Sequence, residues 1–212
     1  MEKQITVPPL KLKRIEVTIT GTSPYISHAW SSKAKRQMRD KQMGKAKQGK
    51  HEIKNPEMDF IQSLYWIKGK PGIDDDVNPG NVQEYIENGV FGIPSIALKS
   101  AFVRAATDVG QKMTDMRRLM HVMGDLCKID GKPVLVEDMV TVGRGAADLR
   151  YRAYFMEWSS TIRIEFNSSL INEENILNLI NTAGYGVGIG DWRPEKNGQN
   201  GRFTLNGEVL TY

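Results

Sequence analysis

The chain has 212 residues, 40% apolar and 25% charged, a globular balance in a length that buries a core without disulfide staples. Its single cysteine, Cys127, excludes an internal disulfide and a multi-cysteine metal site, and no apolar run approaches the roughly 20 residues of a membrane span. Lys and Arg total 29 against 25 acidic residues, a net +4, too small an excess to identify a partner by itself. The N-terminal MEKQITVPPL lacks the apolar core of a secretory signal. The expectation is one cytoplasmic domain over 1–212, with no cofactor, no metal and no membrane partner.

The first predicted element is KRIEVTITG, Lys13 to Gly21. It alternates Ile15, Val17 and Ile19 on one face and reads as a half-buried strand. Ser23-Pro24 ends it. Residues 31–90 follow as an inserted loop region with segregated charge. Its basic part holds Lys33, Lys35, Arg36, Arg39, Lys41, Lys45, Lys47, Lys50 and Lys54 against Asp40 and Glu52. Like charges this dense repel and leave little to bury, so the stretch is expected to be mobile alone and ordered by an anion; a solvated basic loop is the plain alternative. Asp74, Asp75 and Asp76 lie in an acidic part that misplaces the glycine and distal glutamate of a calcium loop, and it reads as a surface turn.

IPSIALKSAFVRAATDVG is a helix begun at Pro94-Ser95, with Ile96, Leu98, Phe102, Val103 and Ala106 on its apolar face. MTDMRRLMHVMGDLC spaces Met113, Met116, Met120 and Met123 as a second helix stripe, a core rather than a cofactor site. KPVLVEDMVTVG and YRAYFMEW are strands around GRGAADLR, 143–150, a hairpin tip. STIRIEFN alternates as another strand. INEENILNLINTAG is a helix capped by Asn172, favoured at its N-terminus by Glu173 and Glu174, packed through Ile176, Leu177 and Ile180, and stopped by Gly184. GRFTLNGEVL closes as a strand.

With the strands around GRGAADLR counted as one hairpin arm, the order is β-α-β-β-α-β. The predicted fold is α+β: a ferredoxin-like, RNA-recognition-motif palm with a basic insertion after the first strand and a hairpin finger. Its sheet is antiparallel with both helices on one face, and RNA-recognition modules bind single strands on the other. The glycine run GYGVGIGDWRPEKNGQNGRF, 184–203, follows a helix and precedes a strand. A dinucleotide cradle needs the reverse order, and no Gly-Lys-Ser/Thr occurs, so nucleotide hydrolysis is set aside. Two readings of the run remain. One is a loop that lets a sugar-phosphate backbone approach closely, with Trp192 to stack and Arg193, Lys196 and Arg202 for charge. The other is a helix end plus a turn, with Trp192 plugging the core.

Three segments, in this order, resemble the RAMP superfamily, the repeat-associated RNA-binding proteins of CRISPR effector complexes. TGTSPYISHAW, 20–30, is similar to the family's first strand and its Ser-Pro-apolar turn. FGIPSIALKSAFVRAA, 91–106, is similar to the Ile-Pro, Leu-Lys-small, Arg segment that opens the first helix. The glycine run resembles the terminal glycine-rich loop ending in Gly-Arg-aromatic. The subgroup most resembled is the backbone subunits, which polymerise along a guide RNA. The resemblance implies an RNA-binding palm, a kinking finger at GRGAADLR, and large loops where the basic insertion lies. Asp191-Trp192-Arg193-Pro194 departs from the small and basic residues usual in that loop. The finger and the chain are both short for the subgroup, which admits a phage or plasmid relative with another task.

Processing endonucleases of the superfamily use a histidine near the first helix, a role His28 or His51 would approximate. Some backbone subunits cut RNA with an aspartate after the first strand, for which Asp40, Asp59 and Asp74 stand as candidates. No motif selects among them, and His121, in the methionine helix, reads as structural. The leading expectation is non-catalytic binding of single-stranded RNA or DNA, with self-association or assembly with other RAMP-like subunits head to tail along the strand. The residues expected at the strand are Lys33, Lys35, Arg36, Arg39, Lys41, Lys45 and Lys47 of the insertion and Lys99 of the first helix, preferred to Arg104, which diverges from it. Arg144 and Arg150 of the finger join them, as do Gly186, Gly188, Gly190, Trp192, Arg193 and Arg202 of the glycine loop. Two other readings stay open: a metal-independent endoribonuclease, and a phage protein that mimics a backbone subunit and caps its assembly.

Overall fold

The structure is a computed structural model and describes residues 9–44, 54–72, 75–142 and 145–211. Strict alternation builds β1, Leu12–Gly21: Ile15, Val17 and Ile19 are buried and their neighbours face out. β9, Ser159–Asn167, alternates likewise through Ile162, Ile164 and Phe166 and pairs with β1 along its length. β10, Phe203–Thr211, takes the other edge of β1. β6 (Leu126–Asp130), β4 (Val90–Pro94) and β3 (Trp66–Lys68) continue the sheet, which runs β10-β1-β9-β6-β4-β3 with β5, Met120–Val122, also on β9. All these pairings are antiparallel.

Two helices cover one face. α4, Ser95–Ala105, buries Leu98, Phe102 and Ala105; α6, Glu173–Thr182, buries Ile176, Leu179 and Ile180. They pack on each other, and α6 also meets β10. The α6 N-terminus is built as its sequence suggests, with the Asn172 side chain accepting from the Asn175 N–H and Glu173 and Glu174 in the first turn. The opposite face of β1 and β9 is polar and paired with itself. Arg14 meets Glu165 at 2.8 Å, Arg163 meets Glu16 at 3.2 Å, and the Thr18 and Thr161 hydroxyls lie 3.1 Å apart. Across β10, β1, β9 and β6 this face offers no aromatic ring for a base to stack on.

The structure corrects the expected strand and helix assignments. The strands flanking GRGAADLR, β7 (Pro133–Val142) and β8 (Ala146–Phe155), do not join the main sheet. They form a separate three-stranded sheet with β2, Tyr25–Ser27, in the order β2-β8-β7. The strand beyond β9 is β6, whose short alternation of Cys127 and Ile129 hides behind a methionine pattern. That pattern spans two elements: α5, Met113–Leu119, ends before Met120, which begins β5, so the four-residue spacing of Met116 and Met120 is not one helix face. His121 accordingly sits on a strand, paired with Glu165.

The insertion over 31–90 is folded where it is described. α2, Pro56–Gln62, starts on an Asn55 cap and buries Phe60 and Ile61; α3, Val82–Asn88, buries Ile86. α1, Ser32–Gln42, is a helix capped by Ser31 and lies largely in solvent. The charges of this part of the basic stretch are thus distributed around a helix rather than along a loop. Gly184 does not stop α6 either: the chain continues through a π-helical turn, Ala183–Val187, and ends at Gly188 with φ 69°.

Candidate nucleic-acid interface

The three segments singled out by the sequence meet in space. The glycine loop is bonded to the chain after β1: Gly201 N–H donates to Pro24 O at 2.7 Å, Asp191 N–H to Ile26 O at 3.2 Å, and Arg202 N–H to the Ser23 hydroxyl at 2.9 Å. The same loop leans on α4. A groove of about 650 Å³ lies between them, floored by Ile96, Val187 and Ile189 and edged by Lys99, Arg104 and Arg117. Ile96, expected in the core, is 69% exposed and forms part of that floor. Lys99 and Arg104 both reach the groove, because α4 offers its flank to the loop. Arg104 is tied to Glu195 at 3.2 Å. Lys99 Nζ lies 3.0 Å from His121 Nδ1. Neither Lys99 nor Arg117 has a carboxylate partner among the described residues, so both cations face the groove unneutralised.

The glycines themselves have internal reasons. A Cβ on Gly188 would sit 2.7 Å from Pro194 Cδ, and one on Gly190 would sit 2.5 Å from Ile26 O; both residues also adopt positive φ. Gly186 is different, with nothing nearer than Asp108 Oδ2 at 3.6 Å. Arg193 is largely committed: it donates to Gly190 O at 3.1 Å and pairs with Glu195 at 2.8 Å. Arg202 stacks over the exposed Tyr185 ring at 5.3 Å. Trp192 is half exposed rather than a core plug, and holds φ 56°, a left-handed conformation that costs a bulky residue roughly 1–2 kcal/mol.

The remaining candidates lie elsewhere. Lys33, Lys35, Arg36, Arg39 and Lys41 are on α1, the last four exposed. Arg150 is on β8, 3.7 Å from Asp148. Lys45, Lys47, Arg144, His51 and Asp74 lie outside the described residues. Asp40 is on α1 and Asp59 on α2. Among the described residues no group of three or more His, Cys, Asp or Glu side chains is placed to hold a metal, and no helix is long and apolar enough to cross a membrane.

A polar clasp binds the loop to the hairpin. His28 Nδ1 is 3.1 Å from Asp191 Oδ2, and Arg152 Nη1 lies 3.4 Å from the same oxygen and 3.7 Å from Asp138 Oδ2. Burial pushes the Asp191 carboxyl up, but the His28 hydrogen bond and the charges of His28 and the arginines outweigh it and hold the group below its ordinary value. Burial, then the hydrogen bond it donates to Asp138, pushes the Tyr154 phenol up. Sequence reasoning missed Arg117, Tyr185 and Arg152. Arg152 is buried on the face of β8 opposite the core residues Ala153 and Phe155, so alternation gave no signal for it.

No family model matches the sequence, and no curated protein does. A solved structure that matches is titled in part "Type III-B Cmr-beta bound to cognate target RNA", at 8% identity and a TM-score of 0.49, covering 95% of this chain and 61% of that one. This chain therefore spans less than two thirds of that neighbour's length.

Proposed function

We propose that the protein binds single-stranded nucleic acid, RNA by preference, without cutting it, and that copies assemble head to tail along the strand. The observation that carries this reading is a groove between segments 91–106 and 184–203, the latter held in place by bonds to segment 20–30, whose cations Lys99 and Arg117 lack carboxylate partners among the described residues. Such a groove suits a polyanion, since each neutralised phosphate releases counterions. The order β10-β1-β9-β6, with α4 and α6 on one face, supports reading the sheet as a ferredoxin-like palm. The resemblance of the three segments to RAMP backbone subunits supports a CRISPR-related role. The polar, self-paired outer face of the palm argues for the helix-side groove as the binding surface. Filter binding of a labelled oligonucleotide tests this: retention should fall steeply with salt and weaken in Lys99→Ala, and no retention at low salt overturns it. Light scattering tests assembly, since the number of copies per strand should rise with strand length.

A second reading, a metal-independent endoribonuclease, is favoured by the His28–Asp191 contact at 3.1 Å, which orients an imidazole still open to solvent. Incubation of RNA with the wild type and His28→Ala decides it. Cleavage lost in the variant supports it, and intact RNA throughout removes it.

A further inference from the structure

A second groove, of about 730 Å³, lies between α1, α2 and the β7–β8 hairpin, within the roughly 300–1,000 Å³ of small-ligand sites. Trp30 stands on its rim, 56% exposed, immediately before the Ser31 cap of α1. A large ring held in water at the edge of a groove is a stacking surface, and Trp30 has no ring or cation against it among the described residues. The groove wall holds both signs of charge. Lys54, Arg150 and Arg152 face Asp59 and Asp148, and Asp148 is already bonded to Lys54. That near balance does not suit a bare phosphate; it suits a neutral ligand with both donors and acceptors. Gln37 and Gln62 offer amides of both kinds. Arg152 is 4% exposed, and its Nε and Nη1 are closed off from solvent with no hydrogen-bond acceptor among the described residues. Its charge is met by the carboxylates of Asp191 and Asp138, at 3.4 and 3.7 Å from Nη1.

We infer that this groove takes one unstacked nucleobase of a bound single strand, with Trp30 against its face and the Gln37 and Gln62 amides against its polar edge. The inference rests on the single-strand reading above. The base comes from a strand rather than from a free nucleotide, because the phosphate-binding charge lies outside the groove. Lys35, Arg39 and Lys41 are exposed along α1, while the cations that line the groove are already held by carboxylates: Lys54 and Arg150 by Asp148, and Arg152 by Asp138 and Asp191.

Photocrosslinking tests the assignment. The wild type is bound to a single-stranded oligonucleotide carrying 5-iodouracil, irradiated, and the crosslinked peptide is mapped by mass spectrometry. The expected adduct is on Trp30. Trp30→Ala should bind about tenfold more weakly, in line with the loss of one base–aromatic stack, and Trp30→Phe should recover most of that. Adducts confined to Tyr185 or Trp192, with Trp30→Ala binding like the wild type, overturn the pocket while leaving strand binding intact. Tight binding of a nucleoside monophosphate with no oligonucleotide adduct on Trp30 overturns the strand source. An oligonucleotide that is not retained at all overturns the binding reading and the pocket with it.

Discussion

Replacing Gly184 by alanine should be among the most damaging single-methyl changes in this protein. An alanine Cβ there would sit 2.0 Å from the Phe203 carbonyl oxygen, 2.8 Å from its carbon and 2.7 Å from ring atom Cδ2. Carbon–oxygen contacts settle near 3.3–3.6 Å, so α6 and β10 would have to separate by about 1.3 Å. The obstructing oxygen and carbon are backbone and cannot rotate away. Phe203 cannot drift alone, because its buried ring packs edge-on against Phe102 and Trp158. Overpacking a core usually costs about 1–3 kcal/mol, and this site lies at the upper end, about 3 kcal/mol, or a fall of roughly 6–12 °C in Tm for a chain of this size. Gly186→Ala is the control. Its Cβ would meet only Asp108 Oδ2 at 3.6 Å, and removing a glycine from a helical turn should stabilise by roughly 0.5 kcal/mol. Urea unfolding of both variants measures the pair. A loss below about 0.5 kcal/mol in Gly184→Ala, or equal losses in the two, would refute the argument that the α6–β10 joint, rather than a ligand, dictates the glycine. Gly186 then becomes the informative glycine for binding, since a methyl there disturbs an approaching strand and not the fold.

Arg152→Met should lower stability by about 2 kcal/mol, less than the 3–5 kcal/mol of a fully buried pair because Asp138 and Asp191 keep 20% and 36% exposure; a urea midpoint unchanged from wild type would contradict this. Asp191 titrates below its ordinary value in the folded protein. Its stabilisation is therefore complete above the unfolded carboxyl value near 3.9 and is lost as pH falls through the lower folded value. Asp191→Asn should flatten the stability–pH curve below about pH 4, and superimposable curves for variant and wild type would show that the clasp does not stabilise the fold. Lys99→Ala and Arg117→Ala should each reduce the slope of log K against log salt by about 0.7, the value for one single-strand phosphate contact; unchanged slopes in filter binding would place the strand elsewhere. Trp192→Gly should gain about 1 kcal/mol of stability from relief of its positive φ yet bind an oligonucleotide more weakly. A variant that is destabilised and binds normally would make Trp192 a packing residue.

Much of the scaffold was legible because its residues agree with their elements at every level. The alternation of β1 and β9, the Asn172 cap of α6 and the Pro94-Ser95 start of α4 each follow from local chemistry and were read correctly. The errors fall where one pattern served two elements. Met116 and Met120 keep helical spacing across a helix-to-strand boundary, which concealed β5 and β6. Alternation in β7 and β8 identified strands but not the sheet they join. The partner of β8 is the three-residue β2, too short to announce itself. Long-range pairing of that kind is decided by packing, and no local pattern encodes it.

The glycine loop shows the same limit at the candidate site. Read alone, alternating glycines imply a backbone left bare for a ligand. The structure supplies a competing cause for three of them: contact with Phe203 at Gly184, with Pro194 at Gly188 and with Ile26 O at Gly190. At these three positions the atoms that approach the glycine are the protein's own. The same packing fixes the least glycine-like residue. Trp192 is held at φ 56° with Gly198 beneath it, where a Cβ would sit 1.7 Å from the Trp192 carbonyl, and Asn200 N–H donates to that carbonyl at 2.9 Å. A loop that spends its glycines on tight internal contact and holds a half-exposed tryptophan in a strained conformation is a rigid platform. On the proposed reading, a strand that bound at Trp192 and the groove edge would meet little of the ordering entropy that a mobile loop would impose.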